Sequence, residues 1–368
     1  MNIPWASAAA QARVHEILAA DGDALERADA AIRAHTEQME RGLVLYAGTN
    51  AGGLGARPSL GDPGEKLQPG LEHLDVLEVL TTNAVAETMR APHADIRVQS
   101  ATLANLAVYA GLTDVGATIA ALPASGGGHF SHHEQGAAGI RGHRVVELPY
   151  ADYDVDLEAL PEFLDRERPA LIVLGGALML FPHRLAEIAA YGVPILYDAS
   201  HMAGLIAGGR FQDPLSEGAA VMTFSTYKSY GGPPGGAIVT RDPDVAERVF
   251  RAVYPGLTAN YDAGRLRALL EAATRLDAAY ADRCIAGAQA LARALHDAGL
   301  PVAAADRGFT ESHHVAIRGD NVAPLTEAGI YASTSGPYIR LGTQELVTRG
   351  LGPDDMPGVA ERIVAALR

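Results

Sequence analysis

The 368 residues are 48% hydrophobic and 20% charged, enough for one or two domains with a large core that needs neither disulfides nor a structural metal. Forty-four acidic residues against 29 basic ones give a net charge of -15, which excludes the clustered positive surface that nucleic acid or an anionic membrane requires. The single cysteine, Cys284, closes no intramolecular disulfide, no apolar run reaches the roughly 20 residues that span a bilayer, and the start MNIPWASAAAQARVHE lacks the layout of a secretion signal, so a cytoplasmic protein is expected.

Residues 1–42 read as an N-terminal helical arm, rich in Ala, Glu and Arg. LVLYAG (43–48) reads as a strand, and the Gly- and Pro-rich stretch that follows it, to Gly70, reads as a long loop of the kind that carries function in compact enzymes. A helix is expected over 71–90. After it come strand IRVQS, helix TLANLAVYAGL, strands ATIAALP and RVVELPY, helix LEALPEFLDRE, strand ALIVLGGA, helix RLAEIAAYG, and strands PILYDAS, AVMTFST and GAIVT. Short apolar strands separated by helices argue for an α/β fold with a mostly parallel sheet covered on both faces. A long helical segment (262–298), the strands VAAAD, HHVAIRG, IYAST and YIRLGT, and a final helix complete the chain as a smaller α+β unit. The expected division is therefore the arm, a large domain over 43–260 and a small C-terminal domain over 261–368.

Of the 29 basic residues only Lys66 and Lys228 are lysines and the other 27 are arginines. A bias toward arginine cannot remove a lysine whose amine must form an imine, because a guanidinium stays protonated. In a parallel sheet, ligands sit beyond the carboxyl ends of the strands, and four features fall there. Ser100-Ala101-Thr102 lies between a strand and a helix, where free amides can hold a phosphate. Asp198 ends PILYD, His201 follows in DASHMAGL, and Lys228 follows VMTFST in STYKSYGGPPGG. A phosphate cradle, a strand-end carboxylate and a lysine after another strand suit pyridoxal 5'-phosphate: the lysine forms the imine and the carboxylate keeps the pyridine nitrogen protonated. Taken singly, each of these residues also has an ordinary place as a cap, turn or loop residue. Adjacent histidines at 132–133 and 313–314 carry no metal expectation, since neighbours in sequence face different directions and no thiolate supports them.

The runs QSATLANLAVYAGL, GGGHFSHH, DASHMAGLIAGG, STYKSYGGPPGG, AVYPG and YIRLGT resemble, in order and spacing, the serine hydroxymethyltransferases, a family of fold-type I pyridoxal phosphate enzymes related in fold to aspartate aminotransferase. The resemblance implies Lys228 as the Schiff-base lysine and Asp198 as the partner of the ring nitrogen. It places His129 over the cofactor ring, His201 near the phenolic oxygen and Thr226 near the phosphate or the lysine. It makes Arg340 a clamp for the substrate carboxylate, with Asn50 kept from the family's substrate loop. A planar guanidinium at a strand end offers two parallel donors, which fits that role independently. A homodimer with shared active sites is also implied, the loop from Asn50 to Gly70 being the segment that reaches across.

The chain departs from the family where the folate is handled. Leu60 aligns with an acidic position, with Asp62 and Glu65 as alternatives if the loop is re-registered. Gly48-Thr49 replaces a serine-glutamate pair, Tyr227 a histidine, Pro234 an arginine, Ala177 a serine, and GLTAN the glycine-rich segment lent to the phosphate. The expected activity is therefore aldol or retro-aldol chemistry at the Cα–Cβ bond of a β-hydroxy-α-amino acid without folate, with an amino acid and an aldehyde as small-molecule partners and with His129, then Tyr227, as candidate bases. Folate-dependent hydroxymethyl transfer on serine or α-methylserine, racemisation, and cofactor binding without catalysis are the alternatives.

Overall fold

A computed structural model describes residues 41–45, 47, 72–258 and 264–368. Residues 1–40 of the arm expected over 1–42, and Asn50, Leu60, Asp62, Glu65 and Lys66, lie outside the described residues.

Seven strands form the main sheet: β1 (His93–Asp95), β2 (Thr118–Ala121), β3 (Arg144–Glu147), β4 (Leu171–Gly175), β5 (Ile195–Asp198), β6 (Val221–Ser225) and β7 (Gly236–Thr240), in the order β1-β7-β6-β5-β4-β2-β3. The run from β6 to β3 is parallel, while β7 is antiparallel to both of its neighbours. Alternation along each strand feeds two cores. Ile172, Leu174, Ile195, Tyr197, Met222 and Phe224 enter one, and Leu171, Val173, Leu196 and Val221 enter the other. A sheet buried on both faces needs continuous apolar strands, which is the pattern these segments carry. By the same parity Asp198 shares the face of Leu196, the face covered by helix α2 (Ala101–Leu112), which follows helix α1 (Glu72–Thr88), through Ala104, Ala107 and Val108.

A second sheet of three antiparallel strands holds β8 (His314–Arg318), β9 (Ser333–Ser335) and β10 (Tyr338–Gly342), with β10 in the middle. Ala316 and Ser333 both pair with Arg340, which fixes that arginine at the sheet's centre. Leu180 and Phe181, just past β4, pack with Ala304 and Ala316 and bring this sheet against the end of the main one. Leu45 adds to the tie, its amide donating to the Tyr331 carbonyl and its carbonyl accepting from the Gly342 amide.

Three expectations shift. The strand expected at IRVQS lies earlier, at His93–Asp95; beyond it the carbonyls of Ile96 and Val98 accept from the Arg265 guanidinium, and Val98 also accepts the Gly236 amide. The long helical segment expected over 262–298 is two helices, α3 (Gly264–Arg275) and α4 (Ala278–Asp297), and the Asp277 side chain caps the second by accepting the Tyr280 amide at 2.7 Å. VAAAD forms only one bridge, Val302 to Ile317, before a tight turn at Ala305–Arg307.

Candidate active site

The carboxyl ends of β5 and β6, the N-terminus of α2 and the strand β10 converge on two adjoining cavities. The deeper is lined by Ser100, Ala101, Thr102, Asn105, His129, Asp198, His201, Tyr227 and Lys228, among others. The wider, about 400 Å³, shares His129, His201, Tyr227 and Lys228 and adds Phe130, Ala177, Ser333 and Arg340. Most of the residues singled out in the sequence thus line one continuous site. Among the described residues Thr226 is the exception: it is buried beside the site, but its hydroxyl donates to the Pro233 carbonyl at 2.6 Å.

Ser100 stands at the N-cap of α2 in extended conformation, its hydroxyl accepting the Leu103 amide at 3.2 Å. The Ala101 and Thr102 amides belong to the first turn, where no intrahelical acceptor exists, so they and the positive end of the helix dipole face the deeper cavity. Gly236 lets this terminus sit close to β7, since a Cβ there would lie 2.4 Å from the Ser100 carbonyl oxygen.

Asp198 is buried, and its Oδ2 accepts from Asn105 Nδ2 at 2.9 Å and lies 3.0 Å from His132 Nε2, while Oδ1 accepts the Ser200 amide at 2.9 Å. Burial alone would push this carboxyl up, but the hydrogen bonds from His132, Ser200 and Asn105 prevail and hold it well below the usual carboxylate range. It is therefore an ionised group in a dry place. Gly175 is its required neighbour: it has φ +82, and a Cβ there would sit 2.1 Å from the Asp198 carbonyl oxygen.

Lys228 Nζ lies 3.1 Å from His201 Nε2. Burial lowers the amine to about 8, with Asp198 opposing and Arg340 adding to the shift. His201 Nδ1 is 3.1 Å from the Ala47 carbonyl and must donate to it, which leaves the Nε2 lone pair toward Lys228. Arg340 reaches the same place, donating through NH1 to the Ala177 carbonyl and through NH2 to Ser333 Oγ at 3.0 Å. His129 accepts the Ser131 amide at Nδ1 and stands 4.2 Å, centroid to centroid, from the Phe130 ring. Burial lowers it to about 4, which keeps it neutral and makes it a weak proton acceptor.

Sequence reasoning passed over Asn105 and Tyr109, and weighed His132 only as a metal ligand. The signal was present: Ala101, Asn105 and Tyr109 recur every four residues along α2 and share the face turned to the sheet. The histidine pair at 313–314 does come together, with ring centroids 4.3 Å apart and with ligand atoms of His201, His313 and His314 within 4.8 Å of one another. Proton placement works against a cation there. His314 Nδ1 accepts the Met179 amide at 3.2 Å, which puts the proton on Nε2, and Lys228 and Arg340 add positive charge beside His201.

The comparisons with known proteins agree in direction. A family model described as "Serine hydroxymethyltransferase" matches residues 48–321. An "Alpha-methylserine aldolase" of Variovorax paradoxus is 41% identical, covering 99% of this chain and 92% of its own length. One from Ralstonia sp is 44% identical over 86% of this chain and 78% of its own. A "Serine hydroxymethyltransferase" of Methanopyrus kandleri is 36% identical over 90% and 86%. Among solved structures, the L-threonine transaldolase from Pseudomonas fluorescens superposes with a TM-score of 0.85 at 24% identity, covering 98% of this chain and 89% of that one, a likeness of fold.

Proposed function

The chain belongs to the serine hydroxymethyltransferase family, and from that premise we propose that it is a pyridoxal 5'-phosphate enzyme that breaks or makes the Cα–Cβ bond of a β-hydroxy-α-amino acid without folate, as an aldolase or transaldolase. The observation that carries this reading is the convergence of Lys228, Asp198, the α2 N-terminus and Arg340 on one site.

The residues fit the cofactor: first-turn amides suit its phosphate, a buried ionised carboxylate suits its ring nitrogen, and a buried amine lowered to about 8 suits its aldehyde. When bound, the cofactor supplies an aldehyde that captures amines and a ring that accepts electrons from Cα. Asp198 would hold the ring nitrogen in its protonated form, the form in which the ring can accept electrons. Lys228 Nζ, a buried amine, would hold the cofactor's aldehyde and pass a proton to or from the substrate amine. Arg340, steadied by Ser333, holds the substrate carboxylate and so orients the bonds at Cα. His129, neutral and lining both cavities, suits a stacking role and stays the first candidate for accepting the hydroxyl proton, with Tyr227 the second, since a phenol accepts a proton only after losing its own.

The identity with alpha-methylserine aldolases favours a small substrate with a substituted Cα. The large domain (43–260) and small domain (261–368) remain part of this reading, supported by the seven-stranded sheet over 93–240 and the three-stranded sheet over 314–342. A homodimer and a cytoplasmic location belong to it as well. No helix among the described residues is long and apolar enough to cross a membrane, and Cys284 is buried. The test is aldehyde release from serine, α-methylserine, threonine and phenylserine by purified protein loaded with cofactor. Release from α-methylserine or another of the four supports the reading; a loaded protein that releases aldehyde from none overturns it.

A further inference from the structure

We infer that Tyr109 is a positioning residue that acts through His132 to fix the proton arrangement around Asp198. The inference rests on the reading of Asp198 as the partner of the cofactor's ring nitrogen, and it adds two residues that do not line the site.

The argument follows from which atoms carry protons. An ionised carboxylate can only accept, so His132 Nε2, 3.0 Å from Asp198 Oδ2, carries a hydrogen. A neutral imidazole then has its lone pair on Nδ1. The Tyr109 hydroxyl lies 2.8 Å from that Nδ1 and is accordingly the donor. Burial and the Asp198 charge raise the phenol well above its ordinary value, so the proton stays on the oxygen. The second support of Asp198 is locked in the same way. Thr223 Oγ1 donates to Asn105 Oδ1 at 2.6 Å, which forces the Asn105 amide nitrogen to face Asp198.

Solvent does not offer a substitute. Tyr109 has 0%, His132 2% and Asp198 4% of its surface exposed. The phenol ring is held from the other side by an edge contact with His143, 5.5 Å between centroids, whose Nε2 meets Thr113 Oγ1 at 3.0 Å. Without the phenol oxygen, a buried lone pair on His132 has no donor. The ring then switches tautomer, presenting a lone pair to the carboxylate, or takes up a proton and neutralises part of its charge. Either outcome changes the field that Asp198 presents to the site.

Tyr109→Phe keeps the ring and removes only the donor. In cofactor-free protein, nitrogen NMR of the imidazoles at neutral pH should show His132 with one protonated nitrogen, Nε2, in the wild type and with a changed protonation pattern in Tyr109→Phe. In the loaded enzyme kcat should fall about three- to tenfold with KM changed less than about twofold, the size expected for one lost buried hydrogen bond. His132→Gln, which can both donate to Asp198 and accept from Tyr109, should retain activity within about threefold of wild type, while His132→Leu should lose far more. A Tyr109→Phe protein with wild-type His132 signals and wild-type kcat overturns the inference. If that variant does not fold, the wild-type spectrum decides alone, since a His132 carrying its proton on Nδ1 or on both nitrogens overturns it too. Failure of the underlying reading looks different: Asp198→Asn with unchanged cofactor absorbance and turnover removes Asp198 from the ring nitrogen, whatever His132 does.

Discussion

Lys228 and His201 meet at 3.1 Å across the floor of the site, and the direction of their contact is set from behind. His201 Nδ1 donates to the carbonyl of Ala47, so Nε2 accepts and the lysine amine donates. Burial first, and then the cationic neighbours Lys228 and Arg340, push His201 well below its ordinary range, so it stays neutral. A neutral acceptor lets the amine lose a proton without placing two positive charges side by side.

The first prediction concerns cofactor uptake. Only the neutral amine attacks an aldehyde, and at an amine pKa of about 8 the neutral fraction rises from about one tenth at pH 7 to about nine tenths at pH 9. The rate at which cofactor-free protein gains visible absorbance on mixing with pyridoxal 5'-phosphate should climb through that window and level off above it. A climb that begins only near pH 10 would mean an ordinary solvated lysine.

Asp198→Asn is expected to reduce turnover by on the order of a hundredfold or more, because a neutral amide cannot keep the ring nitrogen protonated. Binding of the amino acid should weaken far less, since Arg340 and Ser333 are untouched. Steady-state kcat and KM separate the two effects. Equal losses in both would assign Asp198 to folding of the strand end rather than to the chemistry.

Much of this was legible in the sequence, and the reasons differ by element. Strands such as LIVLG and VMTFS are buried on both faces, so their unbroken apolar runs announce a covered parallel sheet. Lys228 and Asp198 were found because lysine is so rare here and because carboxyl ends of strands collect functional groups. The supporting network was not found, since Tyr109 and His132 are 23 residues apart and Asn105 and Thr223 118 apart, and only the fold brings them together. His313 and His314 were read as turned apart by neighbouring positions. His313 precedes the strand β8 that His314 begins, and the departure from strand geometry there lets the rings approach.

That histidine cluster leads to a prediction on stability. Burial lowers His313 to about 3 and His129 to about 4, and it lowers His201 and His314 well below their ordinary range. In the unfolded chain all four return to about 6.5. Below pH 6.5 the unfolded chain therefore binds protons that the folded chain refuses, so stability is full above 6.5 and falls as pH drops toward 4. Each fully neutral histidine contributes up to about 1.4 kcal/mol per pH unit in that window. Denaturant unfolding at pH 7, 6 and 5 measures the slope, and His313→Leu should reduce it by about one proton. A slope unchanged by that substitution would place a charged, partnered imidazole at 313.

The last prediction is that aldehyde release does not depend on tetrahydrofolate. Serine hydroxymethyl transfer needs a pterin held by polar partners and a group that moves its proton. Ala177 and Phe130, which line the wider cavity, offer no side-chain hydrogen bond, and Pro234, where the resemblance expects an arginine, has no side-chain donor. A pterin edge buried without matching donors and acceptors loses about 1 to 3 kcal/mol for each unmatched group. Retro-aldol cleavage has no such requirement, because the aldehyde departs on its own and the remaining proton transfers can use Tyr227, His129 or water. The comparison is turnover of serine and α-methylserine in one preparation with and without tetrahydrofolate, and the expected ratio is near one. Strong stimulation of serine turnover would restore folate-dependent hydroxymethyl transfer and turn attention to Asp62 and Glu65 as the groups that move the proton.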